Sequence, residues 1–119
     1  MNVYVLSNPA MPGMVKIGRT VAVEPRVEAL SFCTAVPLPF AVEYVQQDAD
    51  DCEVEALTHK LLSAHRINPR REFFSVSPEQ AMEAIQLAAL MAAWNKASAE
   101  ARQEFLDRID TPVFDRSAA

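Results

Sequence analysis

Apolar and polar positions change period several times along this 119-residue chain, and each change marks an element. Residues 2–7 (Asn-Val-Tyr-Val-Leu-Ser) are rich in β-branched and aromatic side chains and close on Asn8-Pro9, which predicts a strand. Residues 14–18 (Met-Val-Lys-Ile-Gly) predict a second strand. The six residues between, Asn8 to Gly13, hold two prolines and a glycine and predict a hairpin loop. Gly18 closes the second strand, where close backbone approach or positive φ is useful. A short helix is expected from Pro25 through Ser31, with Val27 and Leu30 facing inward, because proline suits the first helical turn.

Pro37 and Pro39 bracket a turn into a third strand, Phe40 to Gln46. Asp48 to Asp51 offers N-cap candidates for a helix over about 51–65, with Val54, Leu57 and Leu61 on one face at spacings of three and four. Arg66 to Arg71 is a basic loop containing Pro69, and Glu72 to Val76 predicts a short last strand. Ser77-Pro78-Glu79-Gln80 combines an N-cap serine, a proline at the first position and a glutamine at the third, so a helix starts there and runs to about Trp94. A final helix capped by Ser98 runs to about Ile109 with Phe105, Leu106 and Ile109 as its apolar side, and a frayed tail follows from Thr111. The order β-β-α-β-α-β-α-α gives an α+β class: a small antiparallel or mixed sheet with helices packed on it.

Half the residues are hydrophobic and 23% are charged, the balance of an ordinary globular domain, and the length suits one domain. The longest apolar stretch, Ala81 to Trp94, is interrupted by Glu83 and Gln86 and is shorter than the roughly 20 residues a bilayer requires. The first residues lack a basic n-region and an apolar h-region, so no signal peptide, no membrane partner and a cytoplasmic location are expected. Cys33 and Cys52 have no CxxC spacing and are expected to be reduced and packed, with a disulfide not indicated.

Sixteen acids against eleven bases give a net charge of −5, which argues against a protein that coats nucleic acid. The distribution changes that picture. Between Glu55 and Glu72 there is no acid, while His59, Lys60, His65, Arg66, Arg70 and Arg71 lie there, and Lys16, Arg19 and Arg26 precede them. This is either an ordinary solvated face or a local phosphate-binding patch. Glu55 and His59, at i and i+4, share a helix face beside the apolar stripe. They are either a surface pair of little consequence or a carboxylate-imidazole constellation able to hold Mg²⁺ through one oxygen. Tyr4 is either a core-edge aromatic or a phenolic acid/base.

Val3-Tyr4, Lys16-Ile17-Gly18 one strand later, Arg26 ten residues past Lys16, and Glu55 on a later helix together resemble the GIY-YIG nuclease superfamily. The phrases VYVLSNPAMPGMVKIGRT, RVEALS, VPLPFAVEYV, EALTHKLL and NPRREFFSV are similar to its small phage- and bacterium-associated branch, where the second motif reads K-I-G. The resemblance covers about residues 1–85, leaving 86–119 as a C-terminal helical extension. It implies a three-stranded antiparallel sheet flanked by helices and a metal-dependent DNA endonuclease that hydrolyses phosphodiester bonds with one Mg²⁺ (or Mn²⁺). It places Tyr4 beside the scissile phosphate, assisting deprotonation of the attacking water, and pairs Arg26 with the phosphate. Glu55 becomes the protein ligand of the metal. Arg19 stands where the family often has a basic residue, and Asn68 matches its late asparagine. Lys60, Arg66, Arg70 and Arg71 complete the candidate DNA-binding set. Branch membership also suggests a phage, mobile-element or defence setting.

The chain departs from that pattern at three positions. Asn2 replaces the glycine of the first motif, Lys16 replaces the second tyrosine, and Leu30 stands where a histidine or tyrosine is common one turn after Arg26. Lys16 then serves as a phosphate contact, and His59 stands in for the missing proton-transfer group. The alternative is a nucleic-acid-binding or regulatory protein on the same fold with weak or lost catalysis. The extension from residue 86 is either a stabilising element or a surface for a homodimer or protein partner.

Overall fold

The computed structural model describes residues 1–47 and 51–110. In chain order the elements are β1 (Asn2–Ser7), β2 (Val15–Thr20), α1 (Val23–Ser31), β3 (Ala41–Gln46), α2 (Asp51–Leu61), a 3₁₀ turn (Ser63–His65), β4 (Phe73–Phe74), α3 (Pro78–Lys96) and α4 (Ala99–Asp110). The strands form one sheet in the order β3-β1-β2-β4 with every neighbouring pair antiparallel. The class is α+β, and the three-stranded sheet implied by the resemblance carries a fourth, two-residue strand on the free side of β2.

Alternation along β1 divides the core in two. Val3 and Val5, with Val15 and Ile17 of β2, face α2 and α3 and pack with Val54, Leu62, Phe74 and Ile85. Tyr4 and Leu6 face the other way, meeting Phe40 and the half-buried Val27, Leu30, Val45 and Phe73. The face of α3 that meets this core is built mainly of alanine (Ala81, Ala84, Ala88, Ala92), which lets the helix approach the sheet closely. Its N-terminus is fixed by a capping box: Ser77 Oγ accepts from Gln80 N at 3.1 Å and Gln80 Oε1 accepts from Ser77 N at 2.9 Å. At its other end Arg102 of α4 donates to the Trp94 and Asn95 carbonyls, and Phe105 meets the Trp94 ring edge-on at 5.5 Å. α3 runs unbroken through residue 86, so residues 1–85 and the helical extension share one helix.

Several local expectations are corrected. β2 continues past Gly18 to Thr20, and α1 begins at Val23, two residues before Pro25. Leu61 is 40% exposed; the buried side of α2 runs through Val54 and Thr58 to Leu62 just past its end, with Leu57 half-buried. Thr58 can occupy that line because its hydroxyl donates to the Val54 carbonyl at 2.7 Å within the helix. The last strand contracts to Phe73–Phe74 because the chain then turns away: Ser75 N donates to the His65 carbonyl and not to β2. Cys33 is a free, exposed thiol, not a packed one. Phe105, Leu106 and Ile109 are largely exposed on α4. The cap candidates at 48–50, the Cys52 side chain and the tail from residue 111 lie outside the described residues. Among the described residues no helix is long and apolar enough to cross a membrane.

Candidate functional site

The short β4 determines where the site lies. It covers the outer edge of β2 at Val15 and Lys16, and the Glu72 carbonyl accepts one more bond from Ile17 N. Beyond that point β4 has ended, and the Ile17 carbonyl is met by His59 Nε2 from α2 at 3.0 Å. A carbonyl oxygen only accepts, so Nε2 carries the proton, and in the neutral ring the lone pair sits on Nδ1. The ring is held further against Phe74, centroid to centroid 5.0 Å. His59 thus occupies the place that the next residue of a longer β4 would take.

Glu55, one turn before His59, comes to the same edge. Its carboxylate lies 3.7 Å from Arg19 Nε, while Glu72 pairs with Lys16 Nζ at 3.3 Å. Ligand atoms of Glu55, His59 and Glu72 all lie within 4.8 Å of one another, and all three residues are half-buried. Burial pushes the Glu55 carboxyl above the usual range, and the Glu72 charge pushes it further; His59, Arg19 and Lys16 offset part of the rise. The arrangement therefore holds carboxylate charge that its burial disfavours, which is what a divalent cation relieves.

On the other face of the same strands Tyr4 is 1% exposed and stands directly across from Gly18. A β-carbon at Gly18 would lie 2.5 Å from the Tyr4 hydroxyl, 2.7 Å from its Cζ and 3.1 Å from Glu72 Oε2. The glycine is there for space, since a left-handed backbone occurs at Gly13 in the hairpin loop and not at Gly18. Burial raises the Tyr4 pKa, a hydrogen bond and the charge from Arg26 of α1 lower it, and the Glu72 and Glu55 charges raise it again. The net direction is upward, so the phenol keeps its proton at neutral pH.

Tyr4, Lys16, Arg19, Arg26, Glu55 and His59 thus belong to one electrostatically linked cluster, although they derive from β1, β2, α1 and α2. Glu72 joins them, a residue to which the sequence alone assigns no chemical role. Its placement depends on the β2–β4 register, for which the sequence carries no local signal. The rest of the basic set is arranged differently. Arg66 donates to the Arg71 carbonyl at 2.9 Å and lies over the Phe74 ring, which makes it a brace for its own loop. Asn68 accepts from Arg70 N at 2.9 Å and shapes the same loop. Lys60, Arg70 and Arg71 are exposed around it.

No curated protein matches the chain, and no solved structure does. The family model of the T5orf172 domain, a phage-associated family, matches residues 1–89, a span that includes every strand and every residue of the cluster. The chain therefore belongs to the T5orf172 domain family.

Proposed function

We propose that this protein is a metal-dependent DNA endonuclease that hydrolyses phosphodiester bonds. The observation that carries this reading is the Tyr4 hydroxyl, set against Gly18, hydrogen-bonded to Arg26 and within the field of the Glu55 and Glu72 carboxylates. Hydrolysis of a phosphodiester needs a cation for the charge growing on the phosphoryl oxygens, a group to place the attacking water and a way to stabilise the leaving oxygen. Arg26 is exposed on α1 and presents a planar donor fork to phosphate while its contact with Tyr4 aims it. Tyr4, protonated and almost fully enclosed, holds its hydrogen at a fixed point and orients water or a phosphate oxygen through it. His59 keeps one free ring lone pair, on Nδ1, because Nε2 donates to the Ile17 carbonyl. Lys16 and Arg19 add positive charge at the rim, each held by a carboxylate. Glu55 would hold a divalent ion, Mg²⁺ or Mn²⁺, which supplies Lewis-acid chemistry when bound.

The rival reading, a DNA-binding or regulatory protein with weak catalysis, draws on Lys16: its ammonium is tied to Glu72 and takes no proton-transfer role. A nicking assay on supercoiled plasmid with Mg²⁺, Mn²⁺ and EDTA lanes separates the two. Nicking that needs the divalent ion, and is lost in Glu55→Ala and Arg26→Ala, supports the endonuclease. Full cleavage by Glu55→Ala removes the assigned site, and salt-sensitive DNA binding without cleavage under either ion favours the rival.

A further inference from the structure

We propose that Glu55, His59 and Glu72 together form a three-ligand divalent-metal site, with His59 Nδ1 as its nitrogen ligand, that selects Mn²⁺ over Mg²⁺. This deepens the metal site assumed in the endonuclease reading, which needs Glu55 alone. One oxygen of each carboxylate and one ring nitrogen of His59 lie within 4.8 Å of one another, close to the about 4 to 4.5 Å between opposite ligands of one small divalent ion, and with Nε2 engaged by the Ile17 carbonyl the nitrogen left for the ion is Nδ1.

Two features separate this group from a chance gathering of acids. The first is the outer hydrogen bond of His59. Metal-binding histidines almost always give their second ring N–H to a carbonyl or carboxylate, which fixes the tautomer and aims the free nitrogen. The Ile17 carbonyl does this for His59, and the Phe74 ring limits its rotation. The second is the way the carboxylates are held. Arg19 approaches Glu55 at Oε1 and Lys16 approaches Glu72 at Oε2, so each carboxylate is anchored through one oxygen and keeps the other for a ligand. Magnesium prefers oxygen and retains its water, whereas an imidazole among the ligands favours first-row transition ions. One nitrogen with two carboxylate oxygens therefore shifts preference toward Mn²⁺ while leaving Mg²⁺ able to bind weakly.

The test is a Mn²⁺ titration of the full chain without DNA, following the free aqua-ion signal by electron paramagnetic resonance. One Mn²⁺ per chain is expected, displaced only by Mg²⁺ in at least about tenfold excess. Glu72→Gln and His59→Gln should each weaken Mn²⁺ binding about tenfold or more, and His59→Gln should also narrow the preference over Mg²⁺. Pulsed spectra of bound Mn²⁺ in the unmutated protein should show coupling to an imidazole nitrogen that survives His65→Gln, a readout that does not depend on how His59 variants fold. Absence of nitrogen coupling, equal affinity for the two ions, or no binding without DNA would each overturn the three-ligand site. Mn²⁺ binding with nitrogen coupling but no nicking under any ion would remove the endonuclease reading and leave the metal site standing.

Discussion

Replacing Gly18 with alanine tests the packing on which the whole cluster depends. The added β-carbon would lie 2.5 Å from the Tyr4 hydroxyl and 2.7 Å from Cζ, about 1 Å inside ordinary contact distances of 3.4–4 Å. Tyr4 is 1% exposed and its ring is rigid, so the strand pair must part or the ring must swing away from Arg26. Overpacking of this kind costs about 1–3 kcal/mol. The background effect has the opposite sign, because alanine in a strand is normally better than glycine by about 0.5–1 kcal/mol. A net loss therefore understates the clash. In urea the midpoint should fall by about 1 M, given a slope of about 1–3 kcal/mol per molar. The double variant Gly18→Ala/Tyr4→Leu supplies the control: with the ring removed, the alanine should cost little, so the cycle should show coupling of about 1 kcal/mol or more. Gly18→Ala within 0.5 kcal/mol of the unmutated protein, together with additivity in the cycle, would refute the close-approach account.

Other expectations concern charge, capping and core. Because Glu55 has a raised pKa in the folded state, its ionised form destabilises the fold above that value, and the penalty disappears as pH falls below the unfolded value of about 4.3. In EDTA, Glu55→Gln should thus be more stable than the unmutated protein at pH 7, with the difference closing toward pH 4; denaturant melts across that range check the trend, and a gap that widens on acidification contradicts it. Ser77→Ala removes the acceptor for Gln80 N and should cost about 1 kcal/mol by the same melts. Ile85→Ala, at a fully buried position between α3 and the sheet, should cost about 2–5 kcal/mol; a loss under 1 kcal/mol would show that the core rests elsewhere.

The features legible in the sequence are those set by neighbours in the chain. The β1–β2 hairpin is marked by strand-forming runs around Pro9, Pro12 and Gly13, and the capping box is written in four consecutive residues. Glu55 and His59 could be paired because helical spacing alone puts them on one face. Glu72 could not, because its carboxylate reaches the others only through the antiparallel register of Phe73 on Lys16. Hydrophobicity alone places Leu61 inside, whereas Thr58 occupies the interior because one local hydrogen bond satisfies its side-chain hydroxyl. Arg66 reads as a phosphate ligand in a basic run, and its Nε donates to a carbonyl five residues on. Charge density along a sequence does not report which side chains are already engaged.

The early end of β4 also bears on how the molecule avoids its own kind. An uncovered strand edge is a template onto which another chain can add a strand, and proteins commonly guard such edges with charge. Past Lys16 the edge of β2 is closed by a histidine ring on its carbonyl and by the side chains of Arg19, Glu55 and Glu72. Those groups make strand addition costly, since a docking strand would have to displace a ring and desolvate an ion pair. The charge gathered at this edge keeps the sheet from growing, and variants that neutralise it lose a barrier to aggregation.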